Sequence, residues 1–380
     1  MEKRTRINRL PGLVAVALLV VGCRESVGPE RRGPGAPAFN AAPTENNGTL
    51  NASGTRILKG FNPTNPHLGD AIIATFVWLG SSNIVSVTDH LADVPTTPVG
   101  NTYTLVEFVT AGGISMATYV ATNAQNFPDP APDQSKILVV DATFSSPVTD
   151  GGIMISAYRG VYPTAAQALG AHQSTSGSGS SITTADPGAI AVSAGGLAYS
   201  VTLSNGVVGV AGPAGFTNIS AGPMSDASLV VAGAYAVPAA ASTLDPQWTW
   251  YFNAPSTWLA SVLVLNDAPT KLAFTGQPSN SLPCPGTIPP VAVTAQDDEG
   301  FTVTTFNGPV TIAIGHNAGL LMPGKLSGTV TVAAVNGVAR FSDLCIDQPN
   351  LPGDGYTLQA TAPELTLSVA SAPFSIGILH

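Results

Sequence analysis

The chain has 380 residues, of which only 10% are charged, and 23 acidic against 14 basic side chains give a formal net charge of −9. That balance argues against nucleic acid or an anionic membrane surface as a partner. Forty glycines, 32 prolines and no sustained amphipathic helical pattern exclude a helical enzyme and predict an all-β protein rich in turns.

The first element is a charged start, Lys3, Arg4, Arg6 and Arg9, followed by an apolar core over residues 13–21. The core is shorter than the ~20 residues a helix needs to span a bilayer. With Gly22 as the small residue before the cut, residues 1–22 read as a secretory signal peptide. The run VVGC, residues 20–23, resembles the lipobox of bacterial lipoproteins. The resemblance implies a diacylglycerol on the Cys23 thiol, removal of the signal, and a further acyl chain on the new amino terminus. More than one chain is what stable anchoring requires. Arg24 stands where an aspartate would favour the inner membrane, so the resemblance implies the outer membrane, in either leaflet. The alternative is an ordinary cleaved signal with a chance cysteine. Without residues 1–22, ten basic residues face twenty-two acidic ones, so membrane contact is expected from lipid and not from charge.

Residues 23–50 are dominated by Pro, Gly, Asn and charge and are predicted to form a disordered tether. From 51 to 267, short β-type runs alternate with Gly/Pro/Asp clusters, the signature of a sandwich or jelly roll. SKILVVDATF is continuously apolar, which predicts a central strand covered on both faces. PTAAQALGAH has room for one short helix, and STSGSGSS reads as a flexible loop, since it lacks the lysine and following helix of a phosphate loop. The pieces SVTDHLADVPTTPVGNTYTLVE, ATYVATNA, ISAYRGV, SITTADPGAIAVS and WLASVLVLN resemble a concanavalin-type, jelly-roll-like domain of secreted bacterial proteins. That domain has no established chemistry, so the resemblance implies no site residues.

A boundary at NDAPTKLAF opens a segment, 270–380, with seven strand-like runs, the count of an Ig-like sandwich. QPS, VTAQDDEG, LSGTVTVAAVNGVARFSDL and GYTL stand in the order of bacterial Ig-like domains of adhesins, and the segment resembles that family. The resemblance implies a spacer or presentation module without catalytic residues. Cys284 and Cys345 read as one disulfide in an oxidising compartment, with two separate buried thiols as the alternative.

Candidate chemistry is sparse. His90 follows Asp89, and Asp70 lies three after His67, but there is no G-x-S-x-G elbow, and neither spacing converges on a metal. Asp89, Asp93, Glu107, Asp129, Asp133, Asp141, Asp150, Asp186, Asp226 and Asp245 are the acids available to a glycan hydrolase; most sit in turns beside Pro or Gly. AQDDEG (Asp297, Asp298, Glu299) reads as a charged hairpin tip and not a calcium site. No cofactor or metal is expected. QWTWYF places Trp248, Trp250 and Phe252 on one face of a strand and Tyr251 on the other. The tryptophan face is expected in the core, as are Trp78 and Trp258; Trp248 and Tyr251 are the candidates for a ligand-binding aromatic. The sequence therefore leads to an exported, lipid-anchored envelope protein that presents a non-catalytic binding or adhesion module. A carbohydrate-binding protein or glycan hydrolase and a purely structural envelope protein are the alternatives.

Overall fold

The computed structural model describes residues 47–377 except 63, 220–222, 298–299, 301, 320–321 and 348–352. The expected signal peptide and Cys23 lie outside the described residues. Among these, strands dominate, and the short helix expected in PTAAQALGAH is α1, Ala165–Ala168.

The first eight strands are β1 (Asn47–Thr49), β2 (Gly54–Gly60), β3 (Ala71–Leu79), β4 (Ile84–Leu91), β5 (Thr104–Ala111), β6 (Ile114–Ala121), β7 (Leu138–Val148) and β8 (Gly151–Tyr158). They form an inner sheet in the order β1-β8-β3-β6-β5 and an outer sheet β2-β7-β4. After α1 come β9 (Leu169–Gly179), β10 (Ile182–Ala185), β11 (Ile190–Val192), β12 (Leu197–Ser204), β13 (Val210–Ala211), β14 (Thr217–Asn218), β15 (Met224–Ser225), β16 (Val230–Ala236), β17 (Ser242–Leu244), β18 (Trp248–Tyr251) and β19 (Ser256–Leu265). Their inner sheet runs β14-β16-β12-β19-β9 and their outer sheet β10-β18-β13, with β11 and β17 as an extra pair. Matching β1 to β9, β2 to β10, β3 to β12, β4 to β13, β5 to β14, β6 to β16, β7 to β18 and β8 to β19 superposes the two strand orders. The jelly-roll pattern expected once over 51–267 therefore occurs twice.

The two inner sheets pack face to face. Ala71, Ile73 and Val77 of β3 share a core with Leu197, Tyr199, Val201 and Leu203 of β12, while Ile72, Ala74, Phe76 and Trp78 face the first outer sheet. This layering explains why β3, β8, β12 and β19 are buried nearly throughout: each is covered on both sides, so period-two alternation of burial is lost. The Thr75 hydroxyl lies 3.0 Å from both the Thr118 hydroxyl and the Tyr199 phenol, a polar tie between the inner sheets inside an apolar core.

One expectation holds and two need correction. SKILVVDATF is β7, the centre of an outer sheet, and it is covered on both faces as expected. Leu138, Val140, Ala142 and Phe144 face the core, and the opposite face is covered by side chains, with Arg56 donating to the buried Asp141 carboxylate. The tether cannot run to residue 50, because β1 is already paired with β8. Residues 174–179 of STSGSGSS are not a loop but the end of β9. Gly177 faces the Trp258 indole so closely that a Cβ there would lie 2.4 Å from the ring, so small residues serve close approach and not flexibility.

The last sandwich contains β20 (Lys271–Gly276), β21 (Val291–Gln296), β22 (Pro309–His316), β23 (Lys325–Ser327), β24 (Thr331–Ala333), β25 (Val338–Phe341), β26 (Cys345–Asp347), β27 (Gly353–Thr361), β28 (Val369–Ala370) and β29 (Phe374–Ile376). Sheet β20-β21-β25 faces β24-β22-β27-β28, with β29 also on β27, around a core including Val293, Phe306, Phe341, Tyr356 and Leu358. All seven expected runs are strands. Cys284 and Cys345 form a disulfide with a Cα–Cα distance of 5.4 Å. The connection from the second sandwich is hydrogen-bonded along its length: Asn266 N–H donates to the Ala168 carbonyl (2.7 Å), Ala268 N–H to Gly160 (2.7 Å) and Thr270 N–H to Gln296 (2.8 Å).

Candidate binding face

Because the inner sheets cover each other, the sheet faces left to solvent in the first two sandwiches belong to the outer sheets. On the first outer sheet, the outward row is occupied by the Arg56–Asp141 ion pair. On the second, alternation along β18 sends Trp248 and Trp250 inward, where their indole N–H groups donate to Ser200 Oγ (2.9 Å) and Thr202 Oγ1 (3.2 Å) of β12. Phe252 stacks on Trp250 with ring centroids 5.6 Å apart. These contacts hold the sheet rigidly from below.

Its outward face is a short polar-to-apolar strip. At one end, Tyr251 is 49% exposed and pairs across the sheet with Ile182, 72% exposed. Thr184 and Thr249 are the next outward partners. At the other end Gln247 Nε2 donates to Asp245 Oδ2 (2.9 Å), reaches Asp186 Oδ2 (3.5 Å), and Asp186 Oδ1 accepts from Gly188 N–H (2.6 Å). Desolvation, then the hydrogen-bonded Asp186 carboxylate, raises the Asp245 carboxyl above its ordinary value. No Lys or Arg occurs between residues 160 and 270. The strip thus combines a flat aromatic ring, hydroxyls, and an amide–carboxylate pair on a rigid support.

Of the two candidate aromatics, Tyr251 is placed for contact with a ligand and Trp248 is not. Trp248 is 1% exposed, and the small cavity it lines with Val210, Gly212, Asn218, Pro223, Ala232 and Gly233 has a volume of about 30 Å³, water-sized. The sequence reading missed Ile182, Thr184, Thr249 and Gln247. The alternation of ITTAD against QWTWY held the signal, but short polar runs carry no marker of which face turns outward.

The other candidates disperse. Asp89 and His90 point to opposite faces of β4. Asp89, buried, accepts from Gly100 N–H (3.2 Å), Asn101 Nδ2 (2.7 Å) and the Tyr103 phenol (3.3 Å), and anchors the loop after β4. Burial raises its carboxyl, so the folded chain holds that proton more tightly than the unfolded one. Its contribution to stability therefore falls as pH rises from the ordinary carboxylate range through that raised value. Asp89→Ala, which leaves buried donors short of an acceptor, is expected to cost about 2 kcal/mol in urea denaturation. The His67 ring meets Asp129 (2.8 Å), and its backbone N–H meets Asp70 Oδ2 (2.8 Å). Glu107 bonds His172 (2.7 Å), Asp93 takes Lys136 (2.5 Å), and Asp133 and Asp226 cap their own turns. Asp150 stands apart from these pairs. Asp297 Oδ1 accepts from Gly300 N–H (2.8 Å) as a turn residue, while Asp298, Glu299 and His380 lie outside the described residues. Among the described residues, no three His, Cys, Asp or Glu side chains gather to hold a metal. Compared with family models, curated proteins and solved structures, the chain matches none.

Proposed function

We propose that this is an exported protein, anchored to the outer membrane by lipid on Cys23, whose sandwiches present a non-catalytic binding face, with the bacterial Ig-like segment 270–380 as spacer. The observation that carries the reading is Tyr251, half exposed on a sheet buttressed by two buried tryptophans. An aromatic carried on a rigid strand loses little backbone freedom on binding, which favours recognition. Cys23→Ser is expected to move the protein from the membrane fraction to the soluble one. Retention in the membrane fraction would defeat the lipoprotein reading.

A second reading makes the ligand a glycan. It is favoured by the strip itself, since sugars offer apolar C–H faces to a ring and hydroxyls to carboxylates, amides and threonines. Binding suits it better than hydrolysis. Asp186 and Asp245 are in hydrogen-bond contact, whereas glycosidase carboxylates stand ~5–10 Å apart. On a glycan array, the wild-type chain should give specific hits that Tyr251→Ala abolishes with the fold unchanged by circular dichroism. A blank array from folded protein would remove the glycan reading and leave protein adhesion.

A further inference from the structure

One side of the stacked sandwiches carries two open sheet edges. β5 ends the first inner sheet and β9 ends the second, and the His172 ring on β9 meets Glu107 on β5 at 2.7 Å, which sets the two edges side by side. Among the described residues, no strand pairs with the outer edge of either. Neither strand has a single buried residue, although each borders a strand buried almost throughout.

An open edge offers a row of backbone donors and acceptors to any other strand, and proteins guard such rows with charge, proline, bulges or brevity. The other edges here are guarded. β2 carries Arg56 and Lys59, β4 is covered by the loop after it, where Val99 N–H donates to the Asp89 carbonyl, β1 has three residues, β14 and β15 have two each, and β25 carries Arg340. β9 has eleven residues, LGAHQSTSGSG, with one register shift near its start, regular pairing from His172 to Gly179, no proline, no Lys or Arg, and small side chains over its second half. On β5 beside it, Leu105 and Phe108 are 49% and 44% exposed.

We propose that this side is a homodimer interface, in which β9 pairs antiparallel with β9 of a second copy across a two-fold axis and joins the two inner sheets into one. A second copy is the fitting occupant because antiparallel pairing of an edge with itself is self-complementary, donors of each copy meeting acceptors of the other. The edge carries no like charges to oppose it, its one ionisable ring being already matched by Glu107.

The test is sedimentation velocity and hydrogen exchange on the full chain in mild detergent, beside the double variant Ser176→Lys/Ser178→Lys. Both serines are exposed, so the variant should keep the wild-type circular dichroism spectrum. The wild type should sediment as a dimer at tens of micromolar, with backbone amides of residues 169–179 protected more as concentration rises. The lysines should weaken association about tenfold or more. A monomeric wild type overturns the proposal, as does a dimer without protection of residues 169–179 or one indifferent to the lysines. Should the variant misfold, the concentration dependence of protection in the wild type decides alone.

Discussion

Replacing both cysteines, Cys284→Ser with Cys345→Ser, is expected to destabilise the last sandwich by about 4 kcal/mol. The bond closes a loop of 61 residues, and in the chain-entropy model most of its effect is the freedom it denies the unfolded chain. That loop spans most of the sandwich, from the approach to β21 through β22 and β25 to β26, so its release loosens both sheets. In a domain of this size, 4 kcal/mol is a large share of total stability. The four tryptophans, Trp78, Trp248, Trp250 and Trp258, all lie in the first two sandwiches, so their fluorescence is blind to the change. Hydrogen exchange resolved by peptide is the fitting measurement: amides of β21, β22 and β27 should exchange orders of magnitude faster, while those of β3 and β12 stay protected. Equal protection with and without the bond would show that the sandwich core suffices by itself.

The second large effect is Trp250→Ala, expected to cost about 3–5 kcal/mol in urea denaturation followed by the remaining tryptophans. Trp250 is fully buried between the outer and inner sheets of the second sandwich, stacked on Phe252, with its N–H on Thr202 Oγ1. Truncation removes the indole and leaves a cavity that two sheets pinned by backbone ladders cannot close. Thr202 keeps its bond to the Leu259 carbonyl (2.8 Å), so the loss is one of packing more than of a stranded hydroxyl. Trp250→Phe should recover roughly half of it. A loss below ~1 kcal/mol for the alanine variant would mean that the outer sheet is only loosely attached, and the rigid support assumed for Tyr251 would fail with it.

The all-β class, the runs that became strands and the inward turn of the tryptophans were legible because period-two alternation and turn residues are local signals. The doubled jelly roll was not. β1 has three residues where its counterpart β9 has eleven, and β18 has four alternating residues where β7 has eleven with a continuous apolar run, so the equivalence resides in strand order and not in residue identity. β7 was legible: a continuous apolar run marks burial on both faces, and at Asp141 one of those faces is supplied by the Arg56 side chain from a neighbouring strand. Gly177 misled because flexibility and close approach use the same residue, and only the position of Trp258 separates them. The binding strip was half visible: Tyr251 could be singled out as an aromatic, but its partners Ile182, Thr249 and Gln247 are ordinary residues until pairing brings them together.

The face-to-face stacking of the inner sheets also sets an order of events. A chain folding from its amino terminus can complete its first eight strands by residue 158, yet Ile73, Val77, Met116 and Tyr158 then lie bare to water, because what covers them spans residues 197–265. For the time needed to deliver about a hundred more residues, the first half is a finished layer with one oily side. It is then vulnerable to any other apolar surface, including that of a neighbouring chain at the same stage. A nascent chain interrupted near residue 160 would therefore be a candidate for aggregation and for capture by holding chaperones, whereas one interrupted near residue 268 would be a finished body.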